Sequence, residues 1–214
     1  MWNIGASARR ASRAATSATV QQLLGLSCGA FDVNAACSGF AYALVQGHGM
    51  IAMGAKKVLV IGTDTLSRIT DWTDRNTAVL FADGSGAVVL EASSGRGQLL
   101  GWDLDADGSA EKYLYCDLGG TIHMDGKEVF RRAVRIMVDS AKKSMAIAGI
   151  TADDRVVSWL PLYHDMGLIG CAFTPPLVGT PIWLLPPDLR NPQQWLELIT
   201  EVRATFTVSP DFGY

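Results

Sequence analysis

Phe31-Asp32-Val33-Asn34-Ala35-Ala36-Cys37-Ser38-Gly39-Phe40 changes character at its cysteine. A short apolar strand ends there and a long uncharged helical stretch begins. A thiol at a helix start faces backbone N–H groups that have no carbonyl partner, and their partial positive charge lowers its pKa and raises its thiolate fraction. Such a sulfur can hold an acyl group as a thioester. A free cysteine is as often a buried structural residue, so Cys37 alone leaves both readings open.

Outward from this junction, Gly29 to Val33 reads as a strand and Ser38 to Met53 as a helix apolar on most faces, the pattern of a helix buried between layers. Lys57 to Gly62, reached through a Gly-Ala-Lys turn, is a continuous apolar run of strand length. Together they predict a β-α-β unit. Ala78 to Glu91 carries two apolar runs around Asp83-Gly84-Ser85-Gly86, and Asp-Gly predicts a tight hairpin or a bulged strand pair there. Leu99 to Leu104 reads as a further strand. Lys127 to Ala148 has Phe130, Val134, Met137, Ala141 and Met145 at helical spacing, with Arg131, Arg132, Arg135, Asp139, Lys142 and Lys143 around the rest, and Gly149 ends it. Beyond Asp154 the chain turns to Trp, Pro and Leu. Asn191-Pro192-Gln193-Gln194 opens an amphipathic helix through Val202, and Ala204 to Val208 closes with a strand.

With 214 residues, 49% of them hydrophobic and 18% charged, the chain can bury a core. A net charge of −3 gives no reason to expect nucleic acid as a partner. Cys28, Cys37, Cys116 and Cys171 form no CxxC pair, and His48, His123 and His164 are scattered, so neither a metal site nor a disulfide framework is expected. A reduced, cytoplasmic setting follows. Residues 1–17 read as a polar leader. Its Arg9, Arg10 and Arg13, without an acid before Asp32, have the composition of a presequence, although a ragged terminus is the preferred reading. Val33 to Ala55 and Met166 to Pro187 lack charge. Polar residues and glycines in the first and five prolines in the second argue against a membrane span.

Residues 18–154 resemble β-ketoacyl-acyl carrier protein synthase III, a thiolase-fold enzyme that starts fatty-acid chains. The likeness rests on Phe31 to Phe40, on Ser67 to Arg75 ending Asp-Trp-Thr-Asp-Arg, on Leu80-Phe-Ala-Asp-Gly-Ser-Gly-Ala87, and on Met124-Asp-Gly-Lys-Glu-Val-Phe130. The resemblance implies an α/β fold with a partial thiolase-like layered half. It makes Cys37 the acyl-accepting nucleophile, Arg75 a contact to the coenzyme A nucleotide, and Gly126 and Phe130 parts of the pantetheine tunnel wall. Arg131, Arg132 and Arg135 would dock an acidic acyl carrier protein. It also implies acyl-CoA as substrate with no tightly bound cofactor, and a homodimer. The plainer alternatives are a solvated loop charge for Arg75, a core knob for Phe130, a turn for Gly126 and a solvated face for the arginines.

From 155 to 214 the chain resembles instead the large domain of fatty acyl-adenylate ligases, through Val157-Ser-Trp-Leu-Pro-Leu-Tyr-His-Asp-Met-Gly-Leu-Ile-Gly170 and Val178 to Pro187. This implies an α/β fragment of an adenylate-forming domain. His164 becomes a candidate pocket residue, although Asp165 capping a helix from Met166 would explain the segment equally. The histidine and asparagine with which the condensing family stabilises its enolate lie beyond the switch near Asp154, and no Pro-His-Gln-Ala-Asn-like motif follows. Neither His123 nor His164 is expected to replace them at Cys37. Acyl transfer onto Cys37 is therefore expected, with condensation impaired. The alternatives are a fatty-acid adenylation fragment, which lacks a phosphate loop, and a catalytically silent remnant that self-associates.

Overall fold

A computed structural model describes residues 2–7, 15–94, 99–162, 166–186, 191 and 193–208. The chain divides into two compact units, Met1–Leu99 with Asp107–Gly126, and Leu100–Ala106 with Lys127–Tyr214. This division does not coincide with the change of sequence character near Asp154.

In the first unit, β1 (Trp2–Ser7) is followed by α1 (Thr16–Leu23), β2 (Ala30–Val33), α2 (Gly39–Ala52), β3 (Lys57–Thr65) and β4 (Asp83–Glu91). The sheet order is β2-β1-β3-β4; β1 runs parallel to β2 and β3, and β4 runs antiparallel to β3. Trp2–Ser7, read above as part of a polar leader, is thus a strand. It lies between the two strands of the expected β-α-β unit, so α2 crosses over a sheet position that a third segment fills.

The helix is seated by size. Gly39, Ala43 and Gly47 repeat every fourth residue and are buried, so one face of α2 presents almost no side chain and its backbone settles directly on the sheet. A Cβ at Gly47 would lie 2.9 Å from Leu90 Cδ1 and 3.0 Å from Val60 Cγ2. Ala43, Val58 and Val60 form the fully buried centre, packed by Phe31, Val33, Met50, Ile51, Ala55 and Leu90. Burying each valine contributes about 1.5–3 kcal/mol.

Asp83-Gly84-Ser85-Gly86 is not a hairpin turn. These residues begin β4 and pair residue by residue with Gly62 to Thr65. Chain reversal happens earlier, between Leu66 and Ala82, where aspartate side chains supply the turn bonds. The two glycines leave open space at an edge strand, with nothing within 4 Å of an added Cβ. A separate hairpin, β5 (Leu114–Cys116) with β6 (Ile122–Met124), completes the unit.

The second unit contains α3 (Gly126–Ala148), whose first residue counts with the first unit, then β7 (Val156–Ser158), a π-helical stretch Met166–Phe173 running into α4 (Thr174–Leu177), β8 (Ile182–Leu184), α5 (Gln193–Val202) and β9 (Phe206–Val208). Gly149 ends α3 at φ +73°, with Ile150 N–H donating to Met145 O at 3.0 Å, the closure that favours glycine. Leu99 to Leu104 is not a strand: Gly101 presses so closely on α3 that a Cβ would collide with the Ser144 carbonyl, and Lys143 pairs with Asp103 at 3.4 Å. Backbone packed against a helix leaves no ladder to join.

β8, β7 and β9 form a parallel sheet in that order. Trp159 and Trp195 stack at 5.9 Å, and both indoles find acceptors, Trp159 in Pro186 O at 2.9 Å and Trp195 in Thr207 Oγ1 at 2.9 Å. Among the described residues no helix is long and apolar enough to cross a membrane.

Two glycines of α2 should respond oppositely. Gly47→Val is expected to cost about 1–3 kcal/mol by overpacking. Gly49→Ala, where nothing lies within 4 Å, should gain about 0.5–1 kcal/mol through helix propensity. Urea denaturation of both variants reads the difference.

Candidate active site

The segment between β2 and α2 is a sharp elbow. Asn34 Oδ1 accepts from Ala36 N–H at 3.2 Å, and Ala36 takes φ +46°, a left-handed conformation that costs a side-chain-bearing residue roughly 1–2 kcal/mol. Ala36–Ser38 then form one 3-10 turn, with Ser38 donating to Ala35 O from both its N–H at 3.2 Å and its hydroxyl at 2.8 Å. Cys37 is the middle residue of that turn and is exposed. Strain beside an exposed cysteine is the kind of backbone feature that clusters at functional sites.

The thiol does not titrate as the helix start alone predicts. Its pKa is raised, first by burial of the sulfur among its neighbours and second by the negative charge of Asp64, while its own backbone N–H acts in the lowering direction and is the smallest of the three. The backbone effect has the expected sign; desolvation and a carboxylate on β3 outweigh it. The residue is open at its surface edge, yet enough protein surrounds the sulfur to penalise a thiolate.

Asp32, one residue before the end of β2, accepts from Thr16 N–H at 2.7 Å and Ser17 N–H at 2.9 Å. Its carboxylate satisfies the first amides of α1 and ties that helix to the strand leading to Cys37.

The loop that carries Arg75 is built from carboxylates. Asp83 accepts from Ser67 N–H at 2.8 Å and Ser67 Oγ at 2.7 Å; Asp71 accepts from Thr73 N–H and Oγ1 at 2.9 and 2.7 Å; Asp74 accepts from Thr77 Oγ1 at 2.7 Å and Asn76 N–H at 3.0 Å. Each of these bonds favours the charged form, and all three pKa values are lowered, led by the threonine or serine hydroxyl. Arg75 is exposed among these turns, and among the described residues it makes no ion pair. Trp72 beside it is 64% exposed.

Gly126 opens α3, and an added Cβ would meet only Met124 Cε at 3.6 Å, so no steric demand for glycine exists there. Phe130 is 53% exposed, which excludes the core-knob reading. Arg131 and Arg132 share Glu128, at 2.6 and 3.9 Å, and Arg135 is exposed. One acid therefore offsets part of that basic face. Cys37, Arg75 and Gly126 belong to the first unit, and Phe130 and the three arginines to the second. His164, with Asp165, lies outside the described residues. Neither described histidine is bonded to Cys37; His123 stacks on Tyr115 at 5.0 Å.

The elbow's strain and the roles of Asp32, Asp64 and Asp83 were not read from the sequence. The Asp-x-Thr spacing of 71–73 signalled a side-chain turn and could have located that part of the loop.

The family model for 3-oxoacyl-[acyl-carrier-protein (ACP)] synthase III matches residues 31–108, and that for AMP-binding enzymes matches residues 130–211. The chain is 44% identical over 166 residues to the β-ketoacyl-[acyl-carrier-protein] synthase III of Rhodobacter capsulatus, covering 72% of this chain and 50% of that protein. To that of Geobacillus kaustophilus it is 51% identical over 138 residues, covering 63% and 44%. The crystal structure of the Aquifex aeolicus synthase superposes with a TM-score of 0.73 at 32% identity, covering 95% of this chain and 69% of that one. The chain spans about half the length of the curated relatives it matches.

Acidification should expose the loop's carboxylates. Because Asp71, Asp74 and Asp83 have lowered pKa values in the fold, the stability they give is complete above the ordinary carboxylate range. It is lost as pH falls through their lowered values. Asp83→Asn is expected to flatten the fall in stability below about pH 4. Urea midpoints at stepped pH check this; superimposable slopes for both proteins would refute it.

Proposed function

The chain belongs to the β-ketoacyl-[acyl-carrier-protein] synthase III family, and we propose that it acts as an acyltransferase of fatty-acid chain initiation, accepting an acyl group from acyl-CoA on Cys37. The observation that carries this reading is Cys37, an exposed residue at the middle of the 3-10 turn between β2 and α2, next to a left-handed Ala36. The Cys37 sulfur attacks the thioester carbonyl. A new sulfur–carbon bond forms, the bond to the coenzyme A sulfur breaks, and the cysteine proton ends on the released coenzyme A thiol.

Condensation with malonyl-acyl carrier protein is the impaired half. Decarboxylation creates an enolate that needs hydrogen-bond donors at its oxygen. Residues 155–214 carry no Pro-His-Gln-Ala-Asn-like motif to supply the family's histidine and asparagine, and neither described histidine is hydrogen-bonded to Cys37. Arg75 would contact the coenzyme A nucleotide, with Gly126 and Phe130 lining the pantetheine path. Exposed Arg131 and Arg135 would meet the acidic carrier, with Arg132 and Glu128 beside them.

A homodimer belongs to this reading. β4 is an edge strand of nine residues, and Val88 and Val89 on it are exposed, Val89 by 54%. Among the described residues no strand pairs with the outer edge of β4, and an open edge whose second half is apolar is a template for a second strand.

The AMP-binding match over residues 130–211 favours a second reading, fatty-acid adenylation. ATP–pyrophosphate exchange dependent on fatty acid would establish it in place of the first.

Incubation with radiolabelled acetyl-CoA should place label on the peptide containing Cys37, and Cys37→Ser should abolish it. No ketoacyl product should form when malonyl-acyl carrier protein is added. Label on another residue overturns the assignment, and efficient product formation overturns the impairment.

Light scattering should give a dimer mass for the wild type and a monomer for Val89→Lys. A monomeric wild type, or an undisturbed V89K dimer, refutes the edge-strand pairing.

A further inference from the structure

No residue of α3 is buried, although the helix has 23 residues. Its side chains are nevertheless sorted by face. At about 100° per residue, every charged side chain from Glu128 to Lys143 falls in one sector of about 120°, and every apolar residue larger than alanine falls outside that sector. Lys127, in the first turn, is the one charge of the helix that stands apart. Within the charged sector the signs are ordered too. Arg131 and Lys142 run along one border and Arg132 and Lys143 along the other, with Glu128, Asp139 and Arg135 between them.

The helix holds six of the chain's 18 Lys and Arg but only two of its 21 Asp and Glu. Part of that charge is answered within the protein. Glu128 lies 2.6 Å from Arg131 and 3.9 Å from Arg132, and Asp103 lies 3.4 Å from Lys143. Among the described residues, Lys127, Arg135 and Lys142 make no ion pair.

The apolar side is covered in part. Leu100–Ala106 lies against its C-terminal end, where a Cβ at Gly101 would meet the Ser144 carbonyl and Ala148. Toward the helix start, Phe130 and Met137 stand two turns apart on one line and are 53% and 36% exposed, and Ile147 is 63% exposed.

Charge decides what can occupy this face. A second copy presenting the same helix would set like charge against like charge. An acidic carrier protein would engage the arginines and leave Met137 and Ile147 bare. A bilayer containing anionic lipid satisfies both sets of side chains. Apolar residues enter the headgroup boundary, cations along the two borders reach the lipid phosphates, and Glu128 and Asp139, midway between the borders, point to water. With eight charged residues the helix cannot span the bilayer, so it lies in the interfacial plane.

We propose that α3 is a peripheral membrane anchor that binds the surface of a bilayer containing anionic phospholipid, with Phe130, Met137 and Ile147 at the headgroup boundary and the bordering Lys and Arg residues on the phosphates. The attachment is independent of acyl transfer at Cys37. Phe130 is also placed above on the pantetheine path, so the test uses Met137 and Lys142.

The full chain is mixed with vesicles of phosphatidylcholine containing phosphatidylserine, or of phosphatidylcholine alone, and cosedimentation is followed. The first should carry the protein down and the second should not, and sodium chloride should release it by screening the headgroups. Lys142→Glu should weaken binding at least about tenfold, since each cation near an anionic surface contributes about fivefold. Met137→Asp should weaken it by a similar factor. Equal binding to both vesicles, binding to neither, or undiminished binding by either variant overturns the proposal. Should M137D fail to fold by circular dichroism, oxidation by hydrogen peroxide decides. Phosphatidylserine vesicles should slow sulfoxide formation at Met137 several-fold relative to Met53, which is 81% exposed just past α2, and an unchanged ratio overturns the proposal. Binding to acyl carrier protein with none to either vesicle also overturns it and leaves the arginines to the carrier.

Discussion

The first unit depends on the contact between a nearly side-chain-free face of α2 and the strands beneath it. Gly39, Ala43 and Gly47 let the helix backbone approach until Val58, Val60 and Leu90 fill the gap, and Phe40 in the first turn closes over Gly62. Interiors packed to crystal density transmit small displacements. A helix held off the sheet by one methyl group would lift its own first turn, and with it the sulfur that the turn carries. Placement of Cys37 is thus a packing result before it is a chemical one.

Much of this was legible in the residues. The strand-to-helix change at Cys37 and the long helix through Ala148 follow from apolar periodicity, a local property that the chain displays directly. Gly149 marked its helix end correctly because a left-handed closure favours glycine. The elements that escaped are those decided by distant partners. Trp2–Ser7 has no apolar run, and it is a strand because β2 and β3 offer it hydrogen bonds on both sides. Asp83-Gly84 has turn composition, but Ser67 claims the aspartate and β3 claims the backbone. Leu99 to Leu104 looks apolar enough for a strand and is held instead along α3.

The same division separates what could and could not be read at the site. The backbone contribution to the Cys37 thiol is local and was anticipated with the correct sign. The opposing contributions, burial and Asp64, come from the tertiary fold and reverse the outcome. Phe130 shows the complementary case: its place in a helical apolar stripe allowed a buried knob as the plainer alternative to a tunnel wall, and the structure leaves it exposed.

Asp154, where the sequence changes its likeness, bonds back to Thr151 N–H at 2.7 Å and forward to Thr205 Oγ1 at 2.7 Å, across 51 residues. Thr205 Oγ1 also accepts from Arg155 N–H at 3.0 Å, beside the pairing of β7 with β9. Drawing together ends that far apart costs about 3.5 kcal/mol in loop entropy before any ladder bond compensates. The β7–β9 pairing therefore closes a larger loop than the β7–β8 pairing, and a nascent chain cannot complete it until Phe206–Val208 has left the ribosome.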